Sequence, residues 1–199
     1  MSRAVDVYFD FMSPPTYLAF TQIPGLVART GASVNWRPML TIGLLQLTGN
    51  RSPREVANKA RWMSGDLQRW ARRYGVTLGS NSHIETLKII PPLRGAFVAL
   101  ERGEFEPYAT AMFEGMFLKD LNIGESGTWA TLIAGAGLDP EAYAAGVERP
   151  EIKAALREST QAAADRGAFG APSFFVADEL FWGQDRLSFV EEALLALPA

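Results

Sequence analysis

The sequence predicts an α/β fold: a mixed β-sheet formed by a βαβ start and a ββα end, with a large all-helical insertion between them. Two observations carry this. Runs rich in Val, Tyr, Phe and Trp that read as strands lie near the two ends, at 4–11, 34–37, 173–177 and 180–182. The long stretch between them carries apolar residues at helical spacing, without internal repeat or low-complexity linker.

Taken in order, Ala4 to Phe11 is apolar enough for a buried strand. A helix follows, with Ser13 at its N-cap, Pro14 at its first position and Tyr17, Leu18, Phe20 and Val27 as apolar members. Pro24 is expected to kink or split that helix, and Gly31 to end it. Val34–Arg37 forms a second strand stopped by Pro38, which completes a βαβ unit. From Pro53 to Tyr74, the residues Val56, Ala60, Met63, Leu67, Trp70 and Tyr74 step by four and three, an amphipathic helix. Further helices are expected near 93–102, 105–118, 127–135, 140–146 and 150–165, with Asp139-Pro140 as a cap followed by proline. Gly167 and Gly170 break the pattern, strands 173–177 and 180–182 flank a tight Asp178-Glu179 turn, and a last helix runs from about Asp185 to Leu197.

The bulk numbers bound the function. At 199 residues, 48% apolar and 21% charged, the chain is an ordinary globular protein rather than a disordered or membrane one. No apolar run approaches the roughly 20 residues of a membrane helix, and Met1 leads almost at once into a strand, so a cytoplasmic protein is expected. A net charge of −3 argues against nucleic acid as the main partner. Zero cysteines exclude disulfides, thiolate metal sites and redox chemistry borne by the protein itself. A single histidine, His83, leaves no triad or metal cluster, and no metal site is expected. Arg69 to Tyr74 is basic and aromatic but falls on the amphipathic helix, and reads as a solvated face with a packed tryptophan. No glycine-rich phosphate loop is present.

The chemistry concentrates at Ser13-Pro14-Pro15-Thr16 and at Gly170-Ala171-Pro172-Ser173. A thioredoxin-like fold keeps a Cys-x-x-Cys at the first place and a cis-proline at the second. Here a hydroxyl stands in for the sulfur, which points to a protein that borrows a thiol. Ser13 has a plain role as an N-cap. It also has a chemical one, since a helix N-terminus offers free N–H groups and partial positive charge to a thiolate. Lowering a thiol pKa by about 2 units takes about 2.7 kcal/mol. A charge-assisted hydrogen bond supplies about 1.5–3 and a favourable helix end up to about 2. Pro172 is either an ordinary strand-opening proline or, if cis, a specified wall that leaves the N–H and C=O of Ala171 free for an extended peptide. Asp185 reads as an N-cap with a second role toward a glutamyl group. Gly49-Asn50-Arg51-Ser52-Pro53 and Lys59 are turn and surface residues singly. Jointly they are candidate carboxylate holders, with Arg51 the choice for an acidic substrate.

Phe9-Asp10-Phe11-Met12-Ser13-Pro14, Thr48 to Pro53 with Lys59, and Phe169 to Phe175 leading to Phe181-Trp182-Gly183-Gln184-Asp185-Arg186-Leu187 together resemble the 2-hydroxychromene-2-carboxylate isomerase family, kin of kappa-class glutathione transferases within the DsbA-like thioredoxin fold. The resemblance spans nearly the whole chain. It implies a homodimeric glutathione-dependent enzyme, with residues 1–45 and 166–199 forming a discontinuous thioredoxin-like domain and 46–165 the helical insertion. It implies Ser13 as the catalytic residue that activates the glutathione sulfur. It implies Ser13, Asn50, Lys59, Ala171, Pro172, Gln184 and Asp185 around glutathione, and Asn50 and Arg51 at an aromatic carboxylate substrate. Thiolate addition, bond rotation and elimination then isomerise that substrate. Pro15, Ala171 and Glu85 depart from the residues commoner in the family, and no lysine lies between the second strand and Asn50. Two alternatives are a kappa-like transferase that releases a conjugate and a non-catalytic peptide-binding protein of the same fold.

Overall fold

The computed structural model describes residues 3–198. A four-stranded sheet runs in the order β2-β1-β3-β4, built from β1 (Ala4–Phe9), β2 (Ser33–Pro38), β3 (Ser173–Val176) and β4 (Glu179–Trp182). β1 and β2 are parallel, with Val7 beside Trp36, and β3 runs antiparallel to both β1 and β4. The two ends of the chain therefore meet in one sheet, as expected of the thioredoxin-like fold. Pro38 is the last residue of β2 rather than the residue that stops it. β2 is an edge strand, and proline's missing N–H is tolerated there.

Between β1 and β2 the predicted split is present: α1 (Pro14–Phe20) and α2 (Ile23–Thr30), with Pro24 in the first turn of α2 and Gly31 closing it at φ 67°. A helix not anticipated from the sequence, α3 (Thr41–Thr48), follows β2. The expected helix from Pro53 is interrupted: Pro53–Glu55 form a single 3-10 turn closed by a Ser52–Glu55 capping box, Val56 is extended, and α4 runs from Ala57 to Tyr74. Then come α5 (Ile90–Arg102), α6 (Phe105–Phe117), α7 (Ser126–Gly135), α8 (Pro140–Gly146) and α9 (Pro150–Asp165). The hairpin turn lies one residue earlier than expected, at Ala177-Asp178, because Phe174 pairs with Phe181 and Val176 with Glu179. Ala177 takes a left-handed φ of 52°, and its carbonyl accepts from Arg166 at 3.0 Å. The last helix, α10, begins at Leu187 after a 3-10 turn at Gln184–Arg186.

Aromatic packing joins the sheet to the helical segment. Phe9 meets Phe11, Trp36 and Phe105 edge-on at 5.3–5.6 Å, and Phe113 of α6 packs on Phe11, Tyr17 and Phe20 of the first βα unit. Burying each such ring is worth about 1.5–3 kcal/mol, so the helices and β1 share one core. Further along the same face, Leu26 of α2 with Val190 and Leu194 of α10 pack against Val5, Phe174 and Val176, while Tyr8 and Phe175 point to the opposite face and meet Met39, Leu44 and Ala163.

β1 ends at Phe9, short of the expected Phe11, because Asp10 turns the chain. Its fully buried carboxylate accepts the Met12 N–H at 2.8 Å and the Thr41 N–H at 2.9 Å. One side chain thus ties the loop before α1 to the first turn of α3. Burial pushes the Asp10 carboxyl above its ordinary value, and the two N–H groups offset this only in part. For an acid whose pKa is raised by folding, the stabilising contribution is complete below the ordinary carboxylate range and is lost as pH rises through the raised value. Asp10→Ala strands two donors and should cost about 2 kcal/mol at low pH. In urea unfolding across pH, its deficit against the parent should shrink as pH rises, and a constant deficit would contradict the assignment.

Candidate active site

A cavity of about 980 Å³ opens where the N-terminal end of α1, α3, the 49–56 loop, α4 and the 169–171 loop meet. That is the upper end of the roughly 300–1,000 Å³ typical of small-molecule sites. Its wall holds Ser13, Asn50, Arg51, Lys59 and Ala171, five of the residues singled out from the sequence, although they lie up to 158 positions apart. Ile42, Leu45, Val56, Met63, Phe169 and Trp182 supply an apolar side, and the Phe169 and Trp182 rings pack at 5.0 Å. Arg51, Arg54 and Lys59 line the same space, and among the described residues none of the three has an ion-pair partner. The one carboxylate on the wall, Asp10, is spent on backbone N–H groups. A molecule of net charge −3 thus carries a cationic, half-apolar cavity suited to an anion with a flat apolar body.

Ser13 caps α1 as expected: its Oγ accepts the Thr16 N–H at 3.2 Å. The free N–H groups expected at this helix start are not there. Pro14 and Pro15 have none, Thr16's is taken by Oγ, and Tyr17 donates to the Ser13 carbonyl at 3.1 Å. The Ser13 hydroxyl is therefore the donor this end of the helix can offer. It donates to the Ala171 carbonyl at 3.1 Å.

The Ala171–Pro172 peptide is cis. The expectation that both polar groups of Ala171 would be free is corrected, since the carbonyl is occupied by Ser13. The N–H donates to no protein acceptor among the described residues. The occupation is part of a pattern. Asn50 Nδ2 donates to the Phe169 carbonyl at 2.8 Å, Ser173 Oγ to the Gly170 carbonyl at 2.8 Å, and Ser13 Oγ to the Ala171 carbonyl. Three consecutive carbonyls are thus each held by a side chain from a different segment. Gly170 is needed here, since a Cβ would come within 2.5 Å of Trp182 Nε1.

Pro172, Gln184 and Asp185 do not line this cavity. Pro172 is buried and its carbonyl accepts from Gly183 at 3.0 Å. Gln184 is buried too, and its carbonyl accepts from Tyr74 of α4 at 2.8 Å. Asp185 is not an N-cap. It lies inside the 3-10 turn, its carboxylate pairing with Arg186 at 3.0 Å and folding over Gly183, where φ is 99°. Burial, with the Asp185 charge adding to it, pushes the Tyr74 hydroxyl up to about 12. Asp10, Arg54 and the Phe169–Trp182 pair were missed. Asp10 had a visible signal, a carboxylate set between Phe9 and Phe11 at the end of an apolar strand run. A second cavity of about 470 Å³, lined by Tyr17, Phe20, Trp36 and Phe113 with Glu106 and Glu114, contains none of the expected site residues. His83 is half-buried and its N–H donates to Asn81 at 2.9 Å, away from either cavity.

Residues 4–195 match the family model described as a DSBA-like thioredoxin domain. A 2-hydroxychromene-2-carboxylate isomerase from Sphingobium xenophagum is 34% identical over 197 residues, covering 98% of this chain and 100% of the relative. The glutathione S-transferase kappa 1 of Homo sapiens is 22% identical over 98% of this chain and 92% of its own length. A solved 2-hydroxychromene-2-carboxylate isomerase superimposes with a TM-score of 0.86 at 27% identity, covering 96% of this chain and 94% of that one. The sheet order, the cis-proline facing a serine and these full-length matches agree: the chain belongs to the 2-hydroxychromene-2-carboxylate isomerase family, within the DsbA-like thioredoxin fold.

Proposed function

We propose that the protein is a glutathione-dependent cis–trans isomerase of a 2-hydroxychromene-2-carboxylate-like aromatic acid. The observation that carries this is the convergence, on one cavity, of the Ser13 hydroxyl, the Ala171 backbone and the unpaired cations Arg51, Arg54 and Lys59. Relatives named for this isomerase activity support the reaction, and a relative named a glutathione transferase supports the thiol. The donor set fits a tripeptide with two carboxylates. It offers cations, an unpaired amide N–H at Ala171 and one hydroxyl, with volume left for an aromatic ring.

In this reading Ser13 and Ala171 hold the cysteinyl part and Asn50 and Lys59 an end of the tripeptide, while Pro172, Gln184 and Asp185, outside the cavity lining, brace the backbone behind it. When bound, glutathione supplies a thiolate that adds to the conjugated double bond, making it a rotatable single bond, and is regenerated on elimination. Ser13 stabilises the sulfur anion through its hydroxyl. Arg51, beside Asn50, anchors the substrate carboxylate by a charge-assisted bond. Ile42, Leu45, Phe169 and Trp182 keep water from the aromatic body and align it.

Ser13→Ala should raise the pKa of bound glutathione and lower the neutral-pH rate about ten- to hundredfold, the worth of one charge-assisted bond. Loss of the cap should cost only about 1 kcal/mol of stability, and Ser13→Thr should restore part of the rate. An unchanged rate would remove Ser13 from the chemistry. Arg51→Ala should raise KM for the carboxylate substrate about tenfold with little change in kcat; steady-state kinetics giving an unaltered KM would reassign the anchor. A conjugating transferase uses the same residues, and the full-length kappa-class likeness favours that second reading. Thiol titration during turnover separates the two, since an isomerase leaves free glutathione constant and a transferase consumes it.

A further inference from the structure

Ser13 has one hydroxyl hydrogen, and the Ala171 carbonyl holds it. No backbone N–H at the start of α1 can replace it, and the unpartnered Thr16 hydroxyl is buried away from the cavity lining. Positions 14 and 15 lack N–H groups, those of Thr16 and Tyr17 are used by Ser13 itself, and the Met12 N–H is taken by Asp10. Turning the hydroxyl toward a sulfur anion strips the Ala171 carbonyl of its donor, and an acceptor stripped in this way opposes the turn. A ligand that brings its own N–H to that carbonyl removes the opposition. The exchange then replaces a neutral hydroxyl–carbonyl bond with a hydroxyl–thiolate bond, of a kind roughly twice as strong.

We propose that Ser13 and the Ala171 carbonyl together form a specificity switch: the hydroxyl is released to acidify a thiol only when an amide N–H of the same ligand takes its place. The inference rests on the glutathione reading above and deepens it by naming the thiol class. In a cysteinyl residue the amide nitrogen and the sulfur are separated only by Cα and Cβ, so one residue reaches both groups. The free Ala171 N–H pairs with the same ligand backbone. The site therefore acidifies N-acyl-cysteinyl thiols and leaves a simple thiol such as 2-mercaptoethanol near its solution pKa, even when the simple thiol fills the cavity.

The test compares glutathione with its ester analogue, in which oxygen replaces the cysteinyl N–H. Each is used at a concentration that saturates its calorimetric titration, and the bound-thiol pKa is read from thiolate ultraviolet absorbance. Glutathione should be acidified by the parent protein, and the ester analogue should titrate at least about one pH unit higher. Ser13→Ala should raise the bound pKa of glutathione and leave that of the ester analogue in place. Equal acidification of the two thiols overturns the switch while leaving the functional reading intact, because it means that the carbonyl accommodates both donors or that Ser13 needs no release. Failure of the parent protein to acidify glutathione overturns the functional reading and the switch with it.

Discussion

The 169–171 loop has no regular structure of its own, yet its three carbonyls are held by Asn50, Ser173 and Ser13. These bonds fix where the wall of the cavity stands, and much of the site depends on them. Asn50 follows the C-cap of α3, Ser173 opens β3, and Ser13 opens α1. The loop is thereby referenced to a helix N-terminus, a central strand and the segment that carries Arg51. Asp10 adds the complementary tie, from the Ser13 turn to the start of α3. Hydroxyl, carbonyl and cations are held in one frame by these hydrogen bonds, in a chain with no cysteine to form a disulfide.

The electrostatics follow from that frame. Backbone carbonyls that might have faced the cavity are satisfied internally, and its one carboxylate is buried in backbone bonds. The exposed polar character of the wall is then chiefly that of Arg51, Arg54 and Lys59. Their charge costs little while they remain hydrated, and it becomes more effective toward an anion that excludes water. The apolar half, from Ile42 to Trp182, sits beside these cations rather than among them. This division suits a ligand pair with charged ends and an aromatic centre.

Much of this was legible in the sequence. The four strands, the split at Pro24, the cap at Ser13 and most later helices follow from apolar spacing and from proline and glycine placement. α3 was not, because Ile42, Leu44, Leu45 and Leu47 are apolar on several sides. Ile42 and Leu47 are 51% and 53% exposed, so no amphipathic stripe marks the helix. The break at Val56 came from a capping box that closes a turn before the long helix begins. The Ala177-Asp178 turn is set by cross-strand pairing of Phe174 with Phe181, which local turn composition does not encode. In the site, Ser13, Asn50, Arg51 and Lys59 were visible, whereas Asp10, Arg54 and the Phe169–Trp182 pair were missed. The occupied Ala171 carbonyl was not visible, since a backbone acceptor carries no residue type.

The two prolines that open α1 bear on redox chemistry as well as on binding. Free backbone amides at a helix start lower the pKa of a cysteine placed there and so make its sulfur a better leaving group. With Pro14 and Pro15 in those places, a cysteine introduced at position 13 would find only the amide of Thr16 nearby, and Thr16 itself is 1% exposed. Such a single substitution would yield an isolated thiol without a resolving partner. Electron exchange at this helix start is thus opposed by the main chain as well as by the missing sulfur, and installing it would take several substitutions at once.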